Sequence, residues 1–534
     1  MNLLDLCRLD EKPNISPQMR KTFAEPDNTP TAYANSLFEL SGSALPPGVP
    51  WPIHMVDYTR LHVTVKVTLS NSQDTISHAR AKELHRVTEF AAILTSAGWR
   101  RPPMRKVTTL KECDLWGQFT PLRSCNIWFN QRMGTERKLE WPATLDVPAL
   151  IHQGWRPTPF REFIIKIHSR CDLSCDYCYM YEMADQSWRS QPRRISTEIA
   201  EAVAERIGEH ARVHKLQDIT LILHGGEPLL AGEQAIWSLV EATRKAVGPE
   251  VRVKVGIQTN GVGLTDSYLQ LFSELEVRVG VSLDGGPVEH DRHRRFASGR
   301  GSHEAVVAGL RRLRQTQYRH LFSGLLCTVD VRNDPIATYE ALIGFEPPMI
   351  DFLLPHGTWD TPPLGRTPNP RDTPYADWLI TIFNRWYHDP CTRVRFFDDI
   401  IRLILSGKSR GDAVGLAPST MVVIETNGAL EQADSLKATY EGATATGLHV
   451  TRDQFDAALM LPSMAARQIG VQALAAECRS CRIHQVCGGG QYGHRYRSGT
   501  GFANPSVYCP DLMRLIDHIS EVVRADLSAR LRSR

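Results

Sequence analysis

The chain of 534 residues has almost no excess of charge: 62 Lys and Arg stand against 59 Asp and Glu, a formal balance of +3. That balance offers no electrostatic reason to bind nucleic acid or an anionic membrane. No apolar run approaches the roughly 20 residues of a spanning helix. The first residues, MNLLDLCRLDEKP, lack a basic segment leading into an apolar one, so no signal peptide is expected. Neither nucleic acid nor membrane is therefore expected as a partner, and the expected location is cytoplasmic, where thiols stay reduced. With 42% hydrophobic residues, the composition excludes disordered and collagen-like classes. In a reducing compartment the 12 cysteines do not form a disulfide scaffold, and their number needs another reason.

Their spacing supplies one. Cys171, Cys175 and Cys178 form one dense group; Cys478, Cys481 and Cys487, followed by Cys509, form another. Cys7, Cys113, Cys125, Cys327 and Cys391 are scattered, and each is expected as a small buried hydrophobe. Compact thiolates point to zinc or iron–sulfur ligation. A structural zinc is closed by four ligands, which the first group does not supply. Three thiolates on a 4Fe–4S cube instead leave one iron open to a small molecule. The second group can close a site completely, as a cluster or as a four-cysteine zinc.

Residues 1–160 read as an N-terminal α+β domain. An alternating strand is expected at Asp57–Ser70 and a helix at His78–Ala97, and no catalytic motif is present. A different rhythm begins at Arg161. Strands are predicted at 163–167, 219–223, 251–257, 277–283, 325–331 and 350–354. Helices are predicted at 196–214, 234–247, 266–275, 302–315, 336–343 and 375–387. Six strand–helix pairs in succession are the pattern of a parallel α/β sheet closing partly or wholly into a barrel. In such folds functional loops lie at the carboxyl ends of the strands. The Cys171 loop, His224–Pro228, Thr259–Gly261 and Asp284–Gly286 all fall there, outlining a binding rim.

Cys171-x3-Cys175-x2-Cys178 after a strand, then GGEP, a strand-end TNG and S-x-D-G, resembles the radical SAM superfamily. The resemblance implies a partial (β/α)6 barrel over 161–400. Its three cysteines would hold a 4Fe–4S cluster whose open iron chelates S-adenosylmethionine. One electron would then cleave the sulfonium and give a 5′-deoxyadenosyl radical. By the same resemblance the cofactor-binding residues are Tyr177, beside adenine, Gly225, Gly226, Glu227, Asn260, Ser282, Asp284 and Arg294. Glu227 suits the methionine ammonium as an acceptor, and Arg294 suits its carboxylate through guanidinium geometry. The bland alternative makes Glu227 a helix N-terminal charge and Arg294 a surface residue.

The second group resembles the SPASM extension of radical SAM peptide-modifying enzymes, implying a C-terminal SPASM-like iron–sulfur domain within 401–534. The usual pattern holds two auxiliary 4Fe–4S clusters. Here Gly428 is present, but Ala433 and Gln491 stand where thiolate ligands are expected. Both losses belong to one cluster, so a single auxiliary cluster is expected, held by Cys478, Cys481, Cys487 and Cys509. The cofactor set is then S-adenosylmethionine and two 4Fe–4S clusters.

The stretches SRCDLSCDYCYMYEMADQSW, DFLLPHGTWD, EQADSLK and CGGGQYGHRYRSGTGFANPSVYC resemble the FxsB-type maturases. These radical SAM/SPASM enzymes form three-residue cyclophanes in ribosomally made peptides. Some relatives carry an HExxH-type extension, which this sequence lacks. The resemblance implies a C–C bond between an aromatic ring carbon and the β-carbon of a residue two positions later. The implied partners are a ribosomal precursor peptide and a flavodoxin- or ferredoxin-type electron donor. Asp434 is the candidate catalytic base; its alternative is a capping or turn role. Tyr492, His494 and Tyr496 are weaker candidates for substrate contact, packing around the cluster being the alternative. Residues 1–160 either recruit the peptide through an edge strand at Leu61–Ser70 or cap the barrel. Rival functions are formylglycine formation on sulfatases, thioether cross-linking, and a noncatalytic iron–sulfur or zinc module.

Overall fold

A computed structural model describes residues 140–409 and 411–532. The strand and helix expected at Asp57–Ser70 and His78–Ala97, with Cys7, Cys113 and Cys125, lie outside the described residues.

Six parallel strands form the centre: β1 (Glu162–His168), β2 (Asp218–Gly225), β3 (Arg252–Thr259), β4 (Val277–Ser282), β5 (Phe322–Thr328) and β6 (Met349–Leu353). They lie side by side in chain order, as consecutive strand–helix units require. Each helix begins where the sequence stops it from running back into the strand. The Ser196 side chain accepts from Ile199 N ahead of Thr197–Val213, and Thr265 does the same for Asp266–Glu274. Asp334 followed by Pro335 starts Pro335–Ile343, pairing a cap with a residue whose missing N–H costs nothing there. Phe163, Ile165 and Ile167 of β1, with Ile219, Leu221 and Leu223 of β2, are buried in the layer beneath these helices. That alternation leaves the other face of each strand for the lumen.

Strand β5 starts three residues earlier than the sequence predicts. Its pairing with β4 shifts register between Val279 and Gly280, and Gly324 takes a positive φ of 153° there. The apolar Val329–Val331 segment instead turns, with the Asp330 carboxylate gathering Arg292 and Arg332.

The sheet extends beyond the six expected strands. At one edge β7 (Arg393–Val394) pairs with β6. At the other, β8 (Met421–Ile424) runs parallel to β1, followed by antiparallel β9 (Ala429–Glu431) and β10 (Ala445–His449). The C-terminal part is thus joined to the barrel strand that carries the first cysteine loop. Residues 140–160 also pack on this C-terminal part. Trp141 bridges Gly501, Leu150 packs with Ile469 and Ala473, and Thr158 exchanges hydrogen bonds with Gln468. Cys327 is buried as expected, whereas Cys391 is exposed; its position after the helix Pro374–His388 puts it on the surface, so the packing role expected for it does not hold. No helix among the described residues is long and apolar enough to cross a membrane.

Helices Thr197–Val213 and Glu233–Val247 touch through Gly208, where a β-carbon would sit 2.4 Å from Ala246 O. Backbone cannot give way there, and overpacking costs about 1–3 kcal/mol. Gly208→Val is expected to lower the melting temperature by several degrees in a thermal scan, while Gly232→Ala, which meets nothing within 4 Å, tests the cost of its positive φ alone.

Candidate active site

The first cysteine loop leaves β1 and lies across the carboxyl ends of its neighbours. Three polar side chains lock it there. Glu227, buried to 1% exposure, accepts from Leu229 N at 3.0 Å, Thr259 Oγ1 at 2.8 Å and Asn260 N at 2.8 Å. Burial pushes its carboxyl up to about 7, against the pull of those donors. Asn260 in turn donates to Asp172 Oδ1 at 2.6 Å and approaches Cys171 Sγ at 3.8 Å. Asp284 accepts from Tyr177 Oη and from Thr328 N, joining the cysteine loop to the end of β5. Ser282 accepts from Gln258 across β3 and β4. All four predicted rim loops therefore meet.

The glycines have a different neighbour from the one the motif suggests. A β-carbon on Gly225 would fall 2.1 Å from His168 O, and one on Gly226 would fall 1.9 Å from Tyr181 Oη and 2.5 Å from Arg170 backbone. Their smallness admits the cysteine loop itself. Tyr177, expected beside adenine, has its hydroxyl held between Asp284 and Arg294 Nη1, the latter at 2.9 Å. Arg294 is buried, not on the surface. Burial opposes its charge, yet Tyr177, Cys175 and Asp284 hold its pKa above the usual range. Its Nε is buried without a hydrogen-bond partner. An unsatisfied guanidinium N–H near the thiols of Cys175 and Cys178 is the donor that a ligand carboxylate would satisfy. Burial also pushes Cys178 up to about 11, with Cys171 and Cys175 raised. Such thiols become good ligands when a cation removes the proton, and the three donors with Arg294 fit an open cluster and its chelated carboxylate.

The second set lies between the C-terminal turn and helix. Cys478, Cys487 and Cys509 sense one another's charge, as do Cys478, Cys481 and Cys509, and burial pushes Cys487 up to about 12 and Cys509 up to about 11. Four thiolates on one zinc would stand about 3.8 Å apart, given Zn–S near 2.3 Å. Four such thiols complete a closed donor set, as a cluster or a four-cysteine zinc requires.

Asp434 opens the short turn Asp434–Ala438, but its carboxylate does not cap it. It is buried, and its carboxylate lies 2.6 Å from Lys166 Nζ. Lys166, wholly buried, also reaches Glu425 at 2.7 Å and Met180 Sδ at 3.4 Å. Lys437 pairs with Glu431 at 3.0 Å and Glu425 at 3.4 Å. Glu425, Glu431 and Asp434 form a tight carboxylate group, and the two lysine ammonium groups occupy the place a metal would take. Burial opposes ionisation of Lys166, but Asp434, Glu425 and Glu431 hold it protonated. Burial raises Glu431, helped by Glu425, whereas Lys166 and Lys437 outweigh burial at Glu425 and lower it. Sequence reasoning missed Lys166, Glu425, Glu431 and Lys437. A lysine inside the apolar strand FIIKI was the available signal.

Asp434 opens onto a cavity of about 560 Å3 in the barrel lumen, walled also by Tyr179, His356, Ala433, Gln491 and His494. Positions 433 and 491, where thiolates were expected, are part of that wall.

Comparison with known proteins agrees with this geometry. Residues 165–338 match the family model described as the radical SAM superfamily. The chain is 23% identical over 359 residues to a cysteine-type anaerobic sulfatase-maturating enzyme of Clostridium novyi, covering 64% of this chain and 90% of that protein. It is 26% identical over 353 residues to a serine-type counterpart of Klebsiella aerogenes, covering 64% and 82%. The solved structure of native anSMEcpe with bound AdoMet and Cp18Cys peptide superposes with a TM-score of 0.58 at 21% identity, covering 68% of this chain and 99% of that one. That likeness shows the α/β fold. With its strand-end cysteine loop and the loops that lock it, the segment 165–338 of this chain is thus similar to the radical SAM superfamily.

Proposed function

We propose that the protein modifies a ribosomally made precursor peptide, joining an aromatic ring carbon to the β-carbon of a residue two positions later. The observation that supports this is the cavity beneath the cysteine loop, with Asp434 in its wall. When bound, the cofactors would supply an electron to cleave S-adenosylmethionine into a hydrogen-abstracting 5′-deoxyadenosyl radical, and a sink for the electron released as the ring regains aromaticity. Cys171, Cys175 and Cys178 would hold the open cluster, and Cys478, Cys481, Cys487 and Cys509 the closed one. Arg294 would orient the methionine carboxylate, with Tyr177 and Asp284 fixing the guanidinium. One substrate hydrogen leaves as an atom; the second leaves the ring as a proton and an electron. Asp434 is the acceptor for that proton, since a base must lie within hydrogen-bond reach of the proton it takes and this carboxylate borders the lumen. Lys166, 2.6 Å away, holds it in place. Residues 1–160 are proposed to contribute peptide recognition, and a flavodoxin- or ferredoxin-type protein to supply electrons.

The curated relatives favour a second reading, formylglycine formation on a sulfatase. Ala433 and Gln491, standing where that pattern has thiolates, weigh against it.

Four outcomes are expected. Anaerobic reconstitution should load about eight irons per chain, with 5′-deoxyadenosine produced on reduction; zinc alone and no cleavage would replace the enzyme by a metal-binding module. A peptide with an aromatic residue two positions before its partner should lose the mass of two hydrogens per ring when coexpressed. Asp434→Asn should abolish that loss while 5′-deoxyadenosine still forms, and continued cyclisation would remove Asp434 from the role. Lys166→Met strands buried Asp434 and leaves Glu425 to Lys437 alone, a change worth about 3–5 kcal/mol, so its melting temperature should fall sharply. Adding Glu425→Gln and Asp434→Asn should recover part of that loss.

A further inference from the structure

Three imidazoles in the barrel lumen have a ring nitrogen without a partner. His224 Nδ1, His356 Nδ1 and His494 Nε2 are buried and make no hydrogen bond, and all three side chains line the 560 Å3 cavity. They arrive from separate parts of the chain. His224 is the last residue but one of β2, His356 stands three residues beyond β6, and His494 lies in the short turn Tyr492–Arg495. His494 is only 3% exposed. A buried polar atom without a partner is destabilising, and native structures rarely leave one; here three converge on one space. Burial holds all three imidazoles below the usual histidine range, His356 at about 4. Each is therefore neutral, with one nitrogen able to donate and the other to accept.

The surroundings are aromatic. Tyr179 meets His356 edge-on at 4.8 Å between centroids, His356 lies 6.1 Å from His494, and His494 lies 4.8 Å from Tyr508. Ring edges presented at such separations suit a further ring, by offset or edge-to-face contact. Ile222 and Leu326 add apolar wall. A peptide segment with an aromatic residue offers both what the ring edges and what the free nitrogens lack: a ring, and amide N–H and C=O groups on either side of it.

We infer that His224, His356 and His494 form a recognition seat for an uncharged aromatic residue within a peptide, hydrogen-bonding the amides that flank its ring. The inference rests on the peptide-modifying reading and names the residues that select its substrate. These are specificity residues, separate from the proton acceptor at Asp434.

The test uses the full chain, loaded with iron and sulfide and with S-adenosylmethionine, and two unreactive probes followed by ligand-observed NMR. N-acetyl-phenylalaninamide carries the ring and two amides; toluene carries the ring alone. His356→Phe and His494→Phe keep the ring volume and remove the nitrogens. Each should weaken the capped amide by at least about tenfold, because a site built to hydrogen-bond a group discriminates strongly by it. Toluene should change by less than about twofold. Iron content and thermal melting check that each variant folds, and His224→Phe serves where one does not. Unchanged affinity for the capped amide, equal loss of both probes, or an amide that binds no better than toluene would each overturn the seat. Neither probe is turned over, so this result is independent of whether cyclisation is the reaction.

Discussion

The ammonium of Lys166 is the constraint around which the two halves of the described structure are arranged. It sits in β1, two residues before the strand gives way to the cysteine loop, with no exposure to solvent. A lone charge there would be very costly, so the chain must bring carboxylates to it. Glu425 comes from the turn after β8 and Asp434 from the segment after β9. Neither can reach unless β8 is paired to β1, and that pairing extends the barrel sheet into the C-terminal part. Lys437 then balances what remains of Glu425 and Glu431. Hydrophobic residues of similar volume would hold the same joint at less cost. The charged version does something an apolar one cannot: it fixes a carboxylate at the wall of the lumen.

The rim obeys the same logic on a smaller scale. Glu227 and Asp284 are buried acids whose oxygens are occupied by groups from other loops. Each converts a motif that is local in sequence into a tie between strands. Removing either would free a cysteine-loop neighbour without touching a cysteine. Preorganisation of this kind is what positions a bound group to within a fraction of an ångström.

Much of this was legible in the sequence, and the division follows range. The six strands and their helices were readable because burial imposes local periodicity, and caps such as Ser196 and Thr265 act over three residues. The cysteine groups were readable because ligation demands dense spacing. Strands β8 to β10 were not, being three to five residues long, and β8, on which the other two build, pairs with β1 from the far side of the chain. For the same reason Lys166 passed unnoticed: its meaning lies in Glu425 and Asp434, which no local pattern connects to it. Tyr177 and the Gly225–Gly226 pair lie on the rim, and their neighbours are the loops themselves, which only the folded geometry reveals.

Ala433 and Gln491 bring these threads together. Both line the lumen, one beside the carboxylate that Lys166 holds, the other beside the turn that carries His494. A thiolate at either position would commit that wall to a metal group and draw its charge toward it. With alanine and glutamine there, Asp434 faces the volume tied to Lys166, and the neutral imidazoles face it with free nitrogens. The loss of ligands and the gain of a polar, aromatic cavity are then one change seen from two sides. None of Cys478, Cys481, Cys487 and Cys509 is part of the lumen wall, which these polar and aromatic side chains line instead.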